Sequence, residues 1–284
     1  MTVASATGWR TLQLGSMLAV VLALIGATYQ GITTARERRA LPHPGRLVDV
    51  GGYQLHIRCA GEGDPTVILE SPGGGLSTAW DSVQHAVARV TRVCAYDRAG
   101  LGWSEAGAPS FDPGQAAPDL ATLLSNAGER PPFVLVGHGL GTTFAGLFAA
   151  HQPARVPALV IIDDPSRRLP LERELAGLGP RAAWLARFGV LRAWPLLTRH
   201  APGDTFSGVR SRAFLNRPDH LRRATQELAR LTPADVLTDL PGVRVTHLDL
   251  SNARQAGVLA GEEGARVADA VERVVRELRA GPGR

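Results

Sequence analysis

Lysine is missing altogether: all 31 basic residues of the 284 are arginine. Against them stand 26 acidic residues, for a formal net charge of +5, and the two signs are interspersed along the chain. A phosphate-binding face needs positive charge gathered on one side, so nucleic acid is not an expected partner. Cysteine is scarce as well. Two residues, Cys59 and Cys94, cannot build a disulfide scaffold or a cysteine-based zinc ribbon. Neither an internal repeat nor a low-complexity tract is present. What remains is a globular composition, 44% hydrophobic and 20% charged, long enough for one large α/β domain or two small ones.

Charge is also absent from one long run. The 25 residues from Thr11 to Ala35 carry none, and their most apolar part is Met17–Gly26. At about 1.5 Å per residue such a helix crosses a bilayer core of about 30 Å. The expectation is an uncleaved, single-pass anchor occupying residues 1–40 with its flank. The rival is a signal peptide cut after Ala27, and Ile25-Gly26-Ala27 fits the small-residue rule for such a site poorly. Arg36, Arg38 and Arg39 after the run outweigh Arg10 before it, which by the positive-inside rule puts the main domain in the cytoplasm.

Downstream, short apolar runs alternate with helical stretches. Leu47–Val50 and Tyr53–Cys59, joined by Gly51-Gly52, predict a hairpin. Strands are expected at Thr66–Leu69, Val93–Tyr96, Phe133–Val136, Ala158–Ile162 and Val243–Leu248. Helices are expected at Trp80–Val90, at about Asp119–Ala127, and from the glycines after Val136 to Ala150. Near the C-terminus Val267, Val271, Val274, Val275 and Leu278 fall on one helical face. This alternation points to a mostly parallel sheet with helices on both faces. Pro165–Pro241 breaks the pattern: it is Arg-rich, helical in period, and holds Trp184 and Trp194.

Three segments carry a family resemblance. They are Val67-Ile68-Leu69-Glu70-Ser71-Pro72-Gly73-Gly74-Gly75, Asp97-Arg98-Ala99-Gly100-Leu101-Gly102-Trp103-Ser104, and Val134-Leu135-Val136-Gly137-His138-Gly139-Leu140-Gly141. In this order and spacing the chain resembles the α/β-hydrolases over about Arg46–Ala280. The resemblance implies a hydrolase core in residues 46–164 and 242–284, interrupted by a helical cap at 165–241. It further implies an oxyanion-type pocket from the amides of Gly73 and Leu140. Such amides at a helix N-terminus stabilise an oxyanion or take a small acyl or anionic ligand. Neither cofactor nor metal is expected.

The chain departs from the family twice. The nucleophile elbow reads Gly-x-Ser-x-Gly in the family, whereas Gly139 stands at its tip here. Glycine accepts the backbone shape and has no side chain to attack a carbonyl. The family also places a histidine after its last strand, and no histidine follows His247, inside the expected late strand. Ser251–Gly264 is too short for both a further strand and a histidine loop. Without a group in reach of the proton, general-base catalysis fails. Asp249 is the carboxylate nearest the family's acid position, and reads equally as a solvated strand-end aspartate.

Other polar residues have plain readings. His138 is structural; His85 and His151 lie on helices; His200 and His220 belong to the cap and are not expected at the pocket. Thr142 and Thr143 cap or pack the helix after the tip, and Asp163 and Asp164 fix the turn into the cap. The resemblance makes the strands of Cys59 and Cys94 neighbours, close enough for a bridge or for two buried thiols. A bridge would imply an oxidising compartment, opposing the arginine asymmetry. The leading expectation is a membrane-anchored pseudoenzyme acting as a binding or interaction module, with no particular protein partner indicated. The second is a hydrolase or lyase for a small ester, amide or acyl substrate using non-standard residues, which requires a carboxylate or histidine within about 3 Å of the space above Gly139. A bare serine-to-glycine change in a working enzyme ranks last, because it leaves the missing histidine unexplained.

Overall fold

The computed structural model of the protein describes residues 3–162, 167–201, 205–231, 240–250, 259 and 261–281. A long helix α1 (Val3–Ala40) leads into β1 (Arg46–Asp49), β2 (Gln54–Ala60) and β3 (Thr66–Glu70). Then come α2 (Asp81–Val87), β4 (Val93–Tyr96), α3 (Pro113–Asn126), β5 (Phe133–His138), α4 (Leu140–His151) and β6 (Ala158–Ile162). Five helices follow: α5 (Pro170–Leu178), α6 (Arg181–Arg187), α7 (Val190–Ala193), α8 (Phe206–Phe214) and α9 (Pro218–Arg230). The chain closes with β7 (Arg244–Leu248) and α10 (Gly261–Ala280).

The strands form one sheet in the order β1-β2-β4-β3-β5-β6-β7. Pairing is antiparallel from β1 through β2 to β4 and parallel from there to β7. Alternation builds the two cores, since successive side chains on a strand point to opposite faces. Val67 and Leu69 of β3, with Val134 and Val136 of β5, join Val267, Val271 and Val275 of α10 on one face. Ile68, Phe133 and Leu135 turn the other way, onto Leu120 and Leu123 of α3 and Phe148 of α4. Each such side chain fully removed from water contributes about 1.5–3 kcal/mol. A third cluster lies beneath α5–α9, where Leu171, Leu175, Leu221 and Leu228 pack on Leu140 and Phe144. That cluster seats the helical cap on the start of α4.

Two helices differ from expectation in their boundaries. The helix expected at Asp119 starts at Pro113, because Asp112 accepts the Gly114 amide at 3.0 Å and Pro113 needs no hydrogen bond in the first turn. Pro118 is carried inside it. The stretch from Trp80 starts earlier, as a 3-10 turn at Ser77–Trp80, and α2 ends at Val87. Asp163 and Asp164 and most of Ser251–Gly264 lie outside the described residues.

The residues Trp9–Ala40 of α1 are long and apolar enough to cross a membrane by length and composition. Its C-terminal half docks on the cap. Arg192 forks onto Glu37 at 2.6 and 2.8 Å and reaches Gln30 at 2.7 Å, while Gln30 donates to the Asn216 carbonyl at 2.6 Å. Gly26 allows close approach: a Cβ there would lie 2.1 Å from the Phe188 carbonyl oxygen.

Cys59 and Cys94 face each other across β2 and β4 and form a disulfide, with Cα atoms 4.1 Å apart. The bridge closes a loop across a sequence separation of 35 and links the hairpin strand β2 to β4. Such a crosslink stabilises chiefly by restricting the unfolded chain. The double variant Cys59→Ala, Cys94→Ala is expected to lose about 2–4 kcal/mol, measured by urea unfolding of the full chain in detergent. Reductant should cost the native protein the same and leave the variant unchanged.

Candidate functional site

The elbow is built from β5 and α4. Gly139 joins them at φ 54 and ψ −130, a conformation that side chains rarely adopt. Close packing explains a neighbouring glycine: a Cβ on Gly141 would lie 2.3 Å from the Glu70 carbonyl oxygen, so α4 sits directly on the end of β3. The loop after β3 is tied down by Ser71, which donates to the Leu76 carbonyl at 2.9 Å and accepts from Trp80 Nε1 at 3.1 Å.

The amides of Gly73 and Leu140 converge on one atom. Each donates, at 2.8 Å, to Oε1 of Glu172 from α5. The other oxygen, Oε2, accepts the Leu169 amide at 3.0 Å. Glu172 is 1% exposed, so a carboxylate of the cap is enclosed with three backbone N–H groups as its partners. A Cβ built on Gly139 would lie 2.7 Å from Oε1 and 2.8 Å from Leu169 Cδ1. The space above the elbow tip therefore holds the Glu172 carboxylate and the Leu169 side chain. The sequence reading did not single out Glu172; its local signal is a glutamate at the third position of a helix opened by Leu169-Pro170, where the carboxylate reaches back to the capping amide.

His220, like His200, was not expected at the pocket. The structure seats it against the Gly73-Gly74 loop: Nδ1 accepts the Gly102 amide at 3.1 Å, which leaves Nε2–H to donate to the Gly74 carbonyl at 3.0 Å. Both bonds suit the neutral ring, and burial pushes its pKa down to about 4. Beneath lies an ionic cluster. Arg98 forks onto Glu227 at 2.9 and 3.1 Å, donates to the carbonyls of Ser71 and Pro72, and lies 3.5 Å from Glu70. Burial lifts Glu70 to about 7 against the pull of Arg98, and Tyr96 donates to it. A cavity of about 360 Å³ opens beside this cluster, lined by Tyr53, Tyr96, Arg98, Phe111, Phe144 and Arg223.

The remaining candidates lie elsewhere. Asp249 is exposed just past β7, its carbonyl accepting from Arg266 at 3.1 Å, and His247 is exposed on β7 itself. His138 is buried with its ring edge-on to Trp80, and Thr142 and Thr143 are buried in α4. His200 sits beside Glu174 at 3.0 Å on the cap.

A serine, a histidine and an aspartate do meet at one unexpected place. His56 Nδ1 lies 2.9 Å from Asp97 Oδ2 and 3.4 Å from Ser77 Oγ. A catalytic relay needs one ring nitrogen for each partner, whereas here both share Nδ1 and all three residues are fully buried. Burial raises Asp97, but the bond and charge of His56 and the amides of Ser77 and Trp103 hold it below its usual range. This trio fastens the turn after β4. Among the described residues, the cluster with metal-ligating types is Cys59, Cys94 and Glu129; its sulfurs are bonded to each other and its carboxylate is forked onto Arg92.

The profile of the Alpha/beta hydrolase family matches residues 67–282, and the chain belongs to that family. The epoxide hydrolase CorEH has a similar structure, with TM-score 0.65 at 20% identity over 82% of this chain and 99% of the other. An uncharacterized protein of Bacillus subtilis, YbdG, is 24% identical over 163 residues, 55% of this chain and half of its own. An uncharacterized vacuolar membrane protein of Saccharomyces cerevisiae is 27% identical over 146 residues, 45% of this chain and 23% of its own. The chain spans half or less of the length of the curated relatives it matches.

Removing the Glu172 carboxylate strands three buried donors, each costing about 1–3 kcal/mol when unpaired. Glu172→Ala is thus expected to be destabilised by several kcal/mol, and Glu172→Gln, which keeps one acceptor oxygen, by less; urea unfolding of both ranks them. His220 gives a pH signature. The unfolded ring takes up a proton near pH 6.5 and the folded ring only near 4, so stability falls as pH drops through that window. Glu70 acts in the opposite sense, favouring the fold below about 4.5 and losing that advantage as pH rises through about 7. The acid loss should therefore be shallower in His220→Asn and steeper in Glu70→Gln, read from unfolding free energies between pH 4 and 7.

Proposed function

We propose that this protein is a membrane-anchored member of the α/β-hydrolase family that does not carry out serine hydrolysis and serves as a binding or interaction module. The observation that carries this reading is the Glu172 carboxylate, held 2.8 Å from both the Gly73 and Leu140 amides. In a working hydrolase such a pair of donors serves the developing oxyanion. Here a carboxylate from the chain's own cap takes both, and Gly139 offers no hydroxyl beneath it. A nucleophile and its base act as a unit, and losing either removes most of the acceleration. Asp249, the candidate acid, has no histidine after it in the chain to orient. An acyl or anionic ligand would reach the two amides only by displacing Glu172, so the cavity beside Arg98 and Arg223 is the more accessible place for a small molecule.

The proposed organisation is an anchor in residues 1–40, a hydrolase core in 46–164 and 242–284, and a cap in 165–241. The Cys59–Cys94 bridge supports a location for the main domain on the oxidising side of the membrane. Arg36, Arg38 and Arg39 argue for the opposite side; of these, Arg38 lies 3.8 Å from Asp219 of the cap.

A second reading has one observation in its favour. The Glu172 carboxylate stands within 3 Å of the position a Gly139 side chain would take, where non-standard chemistry needs an acid or base. Its two oxygens already accept three backbone N–H bonds, which acting as base or nucleophile would disrupt.

A fluorophosphonate probe applied to the full chain in detergent separates the readings. The protein should remain unlabelled, and Gly139→Ser should remain unlabelled too, because the Glu172 carboxylate and the Leu169 side chain already fill the space that a side chain there would enter. Labelling of the native chain would defeat the first reading. Turnover of short acyl esters by the native protein, abolished in Glu172→Gln, would establish the second.

A further inference from the structure

We propose that the cap carries a second membrane contact: the face formed by Trp184, Phe188, Val190 and Trp194 lies in the interfacial layer of the bilayer that α1 crosses. This rests on the anchor reading of α1 and goes beyond it. The four side chains are apolar and open to solvent, Trp184 by 63% and Trp194 by 74%. Trp184 stacks on Phe188, with ring centroids 6.0 Å apart, so the pair presents one broad surface. Exposed aromatic side chains so close together mark an interaction site more often than ordinary surface.

Position selects the partner. Phe188, Gly189, Val190 and Trp194 border one cleft with Ile25 and Tyr29 of α1. Gly26 touches the backbone of Phe188 and Gly189, so the patch lies at one fixed height on the helix. From Trp9 to Tyr29 the helix rises about 30 Å, at about 1.5 Å per residue, which matches the hydrocarbon thickness. An aromatic residue then sits at each boundary, where the rings of Trp and Tyr favour the headgroup level. Polar docking begins one residue further on, with Gln30 bonded to Asn216 and Arg192. The patch therefore meets the level where α1 leaves the apolar core. Tryptophan suits that layer, having an apolar body and one N–H for the wet side. The exposed Arg181 and Arg187 on α6 flank the patch and can face lipid phosphates.

Tryptophan quenching tests this with the full chain in phosphatidylcholine vesicles, plain or brominated on the acyl chains. Trp9→Phe silences the anchor's own reporter. Of the four tryptophans left, Trp80 is buried and Trp103 is half-buried, bonded to the Leu41 carbonyl well past Tyr29. Bromination should dim Trp9→Phe substantially, through Trp184 and Trp194, and should have little effect once Trp184→Phe and Trp194→Phe are added. If vesicles bind the native chain and quench it while Trp9→Phe is untouched, the cap contact is wrong and the anchor stands; a face covered by a protein partner would give this result. Quenching that persists in the triple variant also overturns the proposal. If the native chain neither floats with vesicles nor is quenched, the anchor reading fails and the cap contact fails with it.

Discussion

One carboxylate joins the two halves of the site. Glu172 descends from α5 and accepts the amides of Gly73, Leu140 and Leu169, which belong to the β3 loop, the start of α4 and the entry to the cap. Backbone donors at such a junction cannot be left unpaired without cost, and Gly73, Leu140 and Leu169 are all buried. A buried carboxyl group likewise needs partners. Each side meets the other's requirement, so the cap is held down by backbone amides on either side of the elbow. The missing side chain at position 139 belongs to this arrangement, because a Cβ there would press on both Glu172 and Leu169.

Around that contact the polar interior is organised to hold loops in place. Arg98 fastens the carbonyls of Ser71 and Pro72 and pairs with Glu227 of α9. His220, also from α9, bridges the Gly74 carbonyl and the Gly102 amide. Two cap helices thus reach into the same loop, one through a carboxylate and the other through a neutral imidazole and an ion pair. Buried groups of this kind contribute little net stability compared with an apolar core, but losing one partner is expensive. They define one seating of the cap. On its outer side, the cap takes the ion pair of Arg192 with Glu37, which ties the first helix to the same body.

Much of the architecture was legible in the chain. The strand runs and the apolar face of α10 follow from hydrophobic patterning, because short apolar runs and a period of 3.6 state directly which residues are buried. The start of α3 differs from the expected Asp119, because the helix carries Pro118 inside it and is capped by Asp112 six residues before that proline. His220 was placed away from the pocket because a histidine in an amphipathic helix gives no sign of what it faces. Glu172 was hidden for a similar reason: on α5 it looks like an ordinary first-turn acid.

By itself, then, the sequence determined that the elbow tip has no hydroxyl, that no histidine follows His247 in these 284 residues, and that 25 uncharged residues precede the domain. These are matters of which atoms exist, and no folding can add to them. What occupies the elbow was decided only by the tertiary structure. Glu172 lies 99 residues from Gly73 and 32 from Leu140, and Cys59 lies 35 from Cys94. Such partners are chosen when the sheet registers and the cap closes, by the directional demands of buried donors that local sequence does not encode.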